Sequence, residues 1–231
     1  MRRAYRPEEK EMRRRAILTG ALQLFQQTPY PELRMTDLAQ RLGLGKGTLY
    51  LYFPTKEALF LAVLQAEMGA WFDRAALSLE AAPAGSDPVA VAEGLVLELM
   101  RRPLLPGLQA LLHGVLEQNI PAGAAHAFAQ FLQAGVVRVG ERLERVLPGL
   151  APGMGPLYLI RFHGLVIGSQ LMASRPPAVQ SAIQDQDMAL FDFSFEGVLR
   201  GTAVDLLLGM LSRPVRTAGA DADDPAILQM V

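Results

Sequence analysis

Residues 35–59 read Met35-Thr-Asp-Leu-Ala-Gln-Arg-Leu-Gly-Leu-Gly-Lys-Gly-Thr-Leu-Tyr-Leu-Tyr-Phe-Pro-Thr-Lys-Glu-Ala-Leu59, and the reading of the whole chain starts there. Two short helical units, Met35–Leu42 and Leu44–Tyr52, meet at Gly43-Leu44-Gly45. Glycine just past a helix suits the left-handed backbone that ends it, and Phe53-Pro54 closes the second unit. This is the length and turn of a helix-turn-helix. Helices so short are unstable alone and must dock on their neighbours. Leu38, Ala39, Leu42, Leu44 and Leu49 are the residues expected to bury, which leaves Lys46, Gly47, Thr48 and Tyr50 on the opposite face. A helix entering the DNA major groove needs short residues where backbones approach, and donors where phosphates or base edges lie. Gly45 and Gly47 supply the clearance; Lys46, Thr48, Tyr50, Tyr52 and Lys56 supply the donors.

Helical periodicity extends outward on both sides. Ile17, Ala21, Leu24 and Phe25 follow the basic run Arg13–Arg15 and predict an amphipathic helix over about 8–27, ended by Thr28-Pro29-Tyr30-Pro31. Downstream, Thr55 is placed as an N-cap with Glu57 in the first turn. From there Leu61, Leu64, Met68, Trp71, Ala75 and Leu79 mark one stripe of a helix reaching about Glu80. The segment 81–87 (AAPAGSD) reads as a linker, and Asp87-Pro88 as a helix start. Further helices are predicted over about 88–101, 104–119, 122–147, 155–174 and 188–212, punctuated by Pro103, Pro121, Pro148, Pro152 and Pro176-Pro177. No run alternates as a strand would, and no internal repeat is visible. The expected fold is all-α with about nine helices: an N-terminal three-helix helix-turn-helix head over 1–54 and a C-terminal helical bundle body over 55–212. The Ala- and Asp-rich tail, 213–231, is expected to fray.

Composition narrows the class. Of 231 residues, 51% are hydrophobic and 19% charged, and the mean hydropathy is +0.20, which excludes a disordered chain. The longest uncharged stretch, Gln118–Val137, carries four amide side chains, a proline and a histidine, and would not insert into a membrane. The charged N-terminus lacks an apolar signal region, so a soluble cytoplasmic protein is expected. The absence of cysteine excludes disulfides and thiolate chemistry. Residues 1–60 hold eleven Lys+Arg against six Asp+Glu, a balance of +5, and the other 171 residues balance at −6. A basic head on an acidic body is the asymmetry of a nucleic-acid contact region; a solvated charged face is the plainer alternative.

The stretch 35–59 resembles the signature of the tetracycline-repressor (TetR) family of bacterial regulators. Asp37, Leu38, Ala39, Gly43, Lys46, Gly47, Thr48, Leu49, Tyr50, Tyr52, Phe53, Lys56, Glu57 and Leu59 match its pattern, and the likeness covers about residues 10–65. The resemblance implies a homodimer whose two heads read a palindromic operator in double-stranded DNA. It also implies a body that binds a small molecule and lets go of DNA. By position, the recognition helix is about Gly45–Leu51, with Lys46, Gly47, Thr48 and Leu49 facing the groove and Tyr50, Tyr52 and Lys56 touching phosphates. Arg34 and Thr36, at the start of the second helix, join this set. Three positions depart from the family: Gly45 replaces the usual serine cap, Arg34 stands where a threonine is usual, and Thr28-Pro29-Tyr30-Pro31 replaces a glycine-containing turn. Arg34 cannot cap a helix, but it can reach a phosphate.

The body offers weaker signals. Trp71, His113, Phe131 and Phe162 are the candidate lining of a ligand pocket, although aromatic residues at helical spacing are more simply core. His113, His126 and His163 lack paired ligand spacing, so neither a metal nor another cofactor is expected. No nucleophile has a plausible partner pattern, so an enzyme is not expected. Two late helices carry glycines four apart, Gly164 with Gly168 and Gly197 with Gly201. Each costs roughly 0.5–1 kcal/mol against alanine in a helix interior, so the glycines need a compensating close approach. With Leu171 and Leu208 they are the candidate dimer seam, packing within one subunit being the alternative. The function expected is a transcriptional regulator, a repressor released by a small hydrophobic or amphipathic inducer through a shift in body conformation. The rival is a helical lipid- or hydrophobe-binding protein of the same fold that does not bind DNA.

Overall fold

The structure, a computed structural model, describes residues 7–185 and 193–212. Among these residues the elements in chain order are α1 (Pro7–Gln27), α2 (Met35–Arg41), α3 (Lys46–Tyr52), α4 (Lys56–Ala81), α5 (Pro88–Met100), α6 (Leu105–Leu111), α7 (Ala122–Val146), α8 (Met154–Ala173), α9 (Pro177–Asp185) and α10 (Phe195–Leu211). No strand occurs among them. The fold is all-α, with ten α-helices among the described residues where about nine are expected from sequence.

The local signals explain most boundaries. Gly43 takes φ 62°, and the N–H groups of Gly43 and Leu44 donate back to Gln40 O (3.1 Å) and Ala39 O (2.9 Å). This paired closure is the Schellman motif, and it satisfies the last carbonyls of α2. Thr55 Oγ1 accepts from Ala58 N at 3.0 Å, and the Asp87 carboxylate accepts from Val89 and Ala90 N–H groups, so both expected caps form.

Two stretches differ. The helix expected over 104–119 stops at Leu111 and continues as a wider π-type turn, Leu112–Leu116, and a 3-10 turn, Glu117–Asn119. Gly114 lies in the loosened turn, where its poor helix propensity does least to resist the change. An extra helix, α9, begins at Pro177, because proline is tolerated at a first helical position, whereas the sequence alone reads it as a break. The last described helix starts at Phe195, where Ser194 Oγ caps it by accepting from Gly197 N at 3.1 Å. The start expected near 188 and the tail 213–231 lie outside the described residues.

The chain forms two compact units. The first comprises the chain up to Ala70 together with Arg102–Ala125; the second comprises Trp71–Arg101 and the chain from His126 onward. In the first, Ile17 and Ala21 of α1, Leu38 and Ala39 of α2, Leu49 of α3 and Leu59 and Leu64 of α4 form the core. Phe60 meets Phe25 at 5.8 Å and Tyr30 edge-on at 5.2 Å between ring centres. Leu105, Leu108 and Leu112 are buried in the same unit, and Gly107 passes against the Phe25 ring. Arg102 pairs with Glu67 at 2.9 Å.

In the second unit six aromatic rings touch in sequence, Tyr158–Phe162–Trp71–Phe72–Phe131–Phe128. Helix α10 packs on α5 and α8. The Tyr158 hydroxyl donates to Ala203 O at 3.2 Å, and the Tyr158 side chain has no solvent exposure. That burial pushes its pKa well above the ordinary tyrosine range. The glycines that permit close approach inside the subunit are Gly135, against the face of Phe72, and the pair Gly140 and Gly155, where α7 and the start of α8 bring backbone against backbone.

Candidate nucleic-acid interface

Helix α3 is seven residues long and rests on Leu49, which is 0% exposed, with the buried Phe53 just beyond its end. The Arg14 guanidinium lies 5.6 Å from the Phe53 ring centre, so one arginine of the basic run in α1 covers that end. Arg15 pairs with Glu11 at 3.2 Å on an exposed face. Arg41 Nη1 donates to Gln27 Oε1 at 2.7 Å, tying the end of α2 to the end of α1. The Arg14 and Arg41 contacts tie α1 to the end of α3 and to the end of α2.

That surface carries most of the residues expected on it. Arg34, Thr36, Gly45, Lys46, Gly47 and Tyr50 are exposed, and Thr48 and Tyr52 are half-buried. Neither Arg34 nor Gly45 caps its helix with a side chain. Thr36 Oγ1 donates to the Asp37 carboxylate at 3.3 Å, and Lys46 Nζ lies 5.9 Å from the centre of the Tyr50 ring one turn along. Gly47 is open, for an added Cβ there would meet no atom within 4 Å.

Leu49 takes another role, and Lys56 has partners within the subunit. Leu49 does not face a groove. It is the buried anchor of α3, with no exposure, on the side that packs against the core. Lys56 is not a free surface cation. Its ammonium donates to the Tyr30 carbonyl at 3.0 Å and lies 4.1 Å from the centre of the Tyr30 ring. The neighbouring Glu57 accepts the Tyr30 hydroxyl at 3.3 Å. Burial, with the Glu57 charge and hydrogen bond beside it, raises the pKa of Tyr30 above the ordinary tyrosine range. The first two residues of α4 thus grip the loop that precedes α2. Sequence reading misses this because the partners are 26 and 27 residues apart. It also passes over Leu51, which is 85% exposed on α3; a helical wheel centred on Leu49 would find it.

The expected pocket residues fall in different places. Trp71 and Phe162 are stacked in the core of the second unit, 5.9 Å apart with 14° between their planes. Trp71 Nε1 donates to Leu95 O at 3.4 Å, and Phe131 reaches the pair through Phe72. His113 belongs to the first unit instead, with its imidazole exposed and Nδ1 2.9 Å from Glu117 Oε2, so it lines no core. Among the described residues no group of three or more His, Asp or Glu is arranged to hold a metal ion. No described helix is long and apolar enough to cross a membrane.

The glycine pairs are open. At Gly164, Gly168 and Gly201 an added Cβ would meet nothing within 4 Å, and at Gly197 only the capping Ser194 Oγ, 3.0 Å away. Leu171 and Leu208, on the same two helices, are 60% and 40% exposed.

A short helix pair with a donor-bearing outer face, set on a helical scaffold, defines a helix-turn-helix protein. Residues 17–63 match the family described as bacterial regulatory proteins, tetR family, and residues 65–214 match the tetracyclin repressor-like C-terminal domain. The chain belongs to the TetR family. It is 39% identical over 59 residues to the HTH-type transcriptional regulator RutR of Escherichia coli K12, covering 26% of this chain and 28% of that protein. It is 37% identical over 87 residues to the regulator EthR of Mycolicibacterium smegmatis, covering 36% of this chain and 39% of that one. The matched region therefore spans well under half the length of these curated relatives. Two solved structures share the fold. PfmR, a TetR family regulator of Thermus thermophilus, has a TM-score of 0.54 at 20% identity, over 85% of this chain and 99% of that one. A TetR regulator of a Rhodococcus species has 0.53 at 22%, over 89% and 100%.

Proposed function

We propose that this protein is a homodimeric transcriptional repressor in the cytoplasm. Residues 1–54 of each subunit read half of a palindromic operator, and residues 55–212 form the dimer and bind a small apolar or amphipathic inducer. One observation carries the DNA reading. The exposed side of α2 and α3 bears Arg34, Thr36, Lys46, Thr48 and Tyr50 around the open Gly47, while Leu49 holds the opposite side in the core. Cationic and hydroxyl donors on a fixed, protruding helix suit phosphate positioning and groove entry. A hydrophobe-binding protein that had left DNA would have no need of that face.

The dimer reading rests on α8 and α10, which pack together and present their glycines outward. Open glycines flanked by Leu171 and Leu208 give a second helix pair room for close approach. The inducer reading rests on family membership. Trp71 is the only tryptophan and lies in the aromatic core, so its emission would report a ligand entering there.

The deciding experiment selects binding sites for the full chain from a randomised duplex pool, then titrates the enriched duplex over a salt series. An inverted repeat bound far more tightly than random DNA supports the proposal. Weak binding with no enriched sequence overturns it.

A further inference from the structure

We infer that Leu51 is a specificity-determining residue of the DNA interface, and that it reads a thymine methyl group in each operator half-site. The inference rests on the reading above that α3 enters the major groove, and it names what α3 meets there.

The geometry of α3 sets the argument. Successive residues on an α-helix are about 100° apart, so Leu51, two residues past Leu49, points about 200° from it. Leu49 is 0% exposed and marks the side facing the core; Leu51 is 85% exposed and marks the outermost side. Gly47 and Thr48, four and three residues before Leu51, share its face. Lys46 and Tyr50 lie together on one flank, with the lysine nitrogen over the tyrosine ring, and Tyr52 lies on the other. The side of α3 opposite the core is therefore Leu51 and Gly47, with the half-buried Thr48 beside them. The donors suited to phosphate stand to either side.

This outermost face carries no guanidinium, ammonium, carboxylate or carboxamide. The bidentate pairings that read guanine and adenine are thus unavailable to it. What it offers is one hydroxyl, which pairs with either kind of base, and one aliphatic side chain on an open surface. In the major groove the feature complementary to an aliphatic group is the thymine C5-methyl. Gly47 adds no Cβ that would hold the helix off, so Leu51 can reach the groove floor. Lys46 on the flank of α3 and the exposed Arg34 at the start of α2 suit an anionic partner, which selects DNA over an apolar protein surface as what covers Leu51.

The test uses the full chain and the duplex enriched from the random pool. Each thymine is replaced in turn by deoxyuridine, which removes only the methyl group. At one position per half-site, the replacement should weaken binding about fourfold, the equivalent of one buried methyl group, and about fifteenfold when made in both. Leu51→Ala, at an exposed position, should melt like the wild type and bind thymine and deoxyuridine duplexes equally at that position. Leu51→Arg should move the preference there toward guanine. An enriched duplex with no thymine whose replacement matters overturns the assignment, as does a Leu51→Ala variant with unaltered thymine preference. A pool that yields no enriched sequence is a different failure, that of the DNA-binding reading itself, and the assignment falls with it.

Discussion

Lys56→Ala probes the grip between the start of α4 and the loop before α2. In the folded chain the ammonium donates to the Tyr30 carbonyl at 3.0 Å and stands 4.1 Å from the ring centre. A hydrogen bond with one charged partner contributes about 1.5–3 kcal/mol, and an exposed cation–π contact about 0.5–1 kcal/mol. Lys56 is only half-buried and water can reach the freed carbonyl, so the lower ends apply and the expected loss is about 2 kcal/mol. In a chain of this size that lowers the melting temperature by about 4–8 °C. Urea unfolding followed by circular dichroism, without DNA, measures the loss directly. A cycle with Tyr30→Leu isolates the ring contact, because the backbone carbonyl survives that change; its coupling energy should be about 0.5–1 kcal/mol. An ordinary surface lysine contributes within about 0.5 kcal/mol. If Lys56→Ala unfolds within that margin of wild type and the cycle is additive, the grip contributes nothing and Lys56 reverts to a phosphate contact. The distinction matters for any DNA measurement, because weakened binding by Lys56→Ala would report a displaced α2 as readily as a lost charge.

Lys46→Ala is the cleaner test of phosphate contact. It should melt like wild type, weaken specific and random DNA alike, and lower the slope of log affinity against log salt by about one. Gly168→Leu and Gly201→Leu should convert dimer to monomer in sedimentation with helicity retained, because an added Cβ at either position meets nothing within its own subunit; dimers of unchanged affinity in both would move the interface elsewhere. Gly135→Ala should cost about 1–3 kcal/mol in urea unfolding, since its Cβ would enter the Phe72 ring. Raising the pH above about 10 should destabilise the fold. Buried Tyr158 holds its proton when folded and loses it when unfolded, so deprotonation favours the unfolded state, by up to about 1.4 kcal/mol per pH unit. Tyr158→Phe should cost about 1 kcal/mol at neutral pH and flatten that alkaline decline.

What can be read from the sequence is set by how far apart the interacting residues are. Gly43, Thr55 and Asp87 act on backbone groups within a few residues, so a string of letters contains both partners, and each turn or cap forms as expected. Leu49 has a claim to both sides of α3, since helical periodicity buries it while the resemblance implies contact with the groove. One side chain cannot face both the core and a groove, and the core takes Leu49. Where the partner is remote, the letters name a residue type but not its use. Lys56 reads as a cation in a DNA motif until Tyr30 is set against it, and His113 as a pocket residue until the fold leaves its imidazole exposed beside Glu117. The glycines show the same division. Gly164, Gly168, Gly197 and Gly201 stand out by their spacing, yet an added Cβ at three of them finds open space. Gly135, Gly140 and Gly155 have no such pattern, yet each is pressed against a ring or a backbone brought there by the fold. Glycine in a helix therefore has two distinct meanings in this chain. An enclosed glycine is explained by the subunit that contains it. At Gly164, Gly168 and Gly201 no atom of the described residues lies close enough to offset the cost in helix propensity, and the proposed dimer seam would supply that offset.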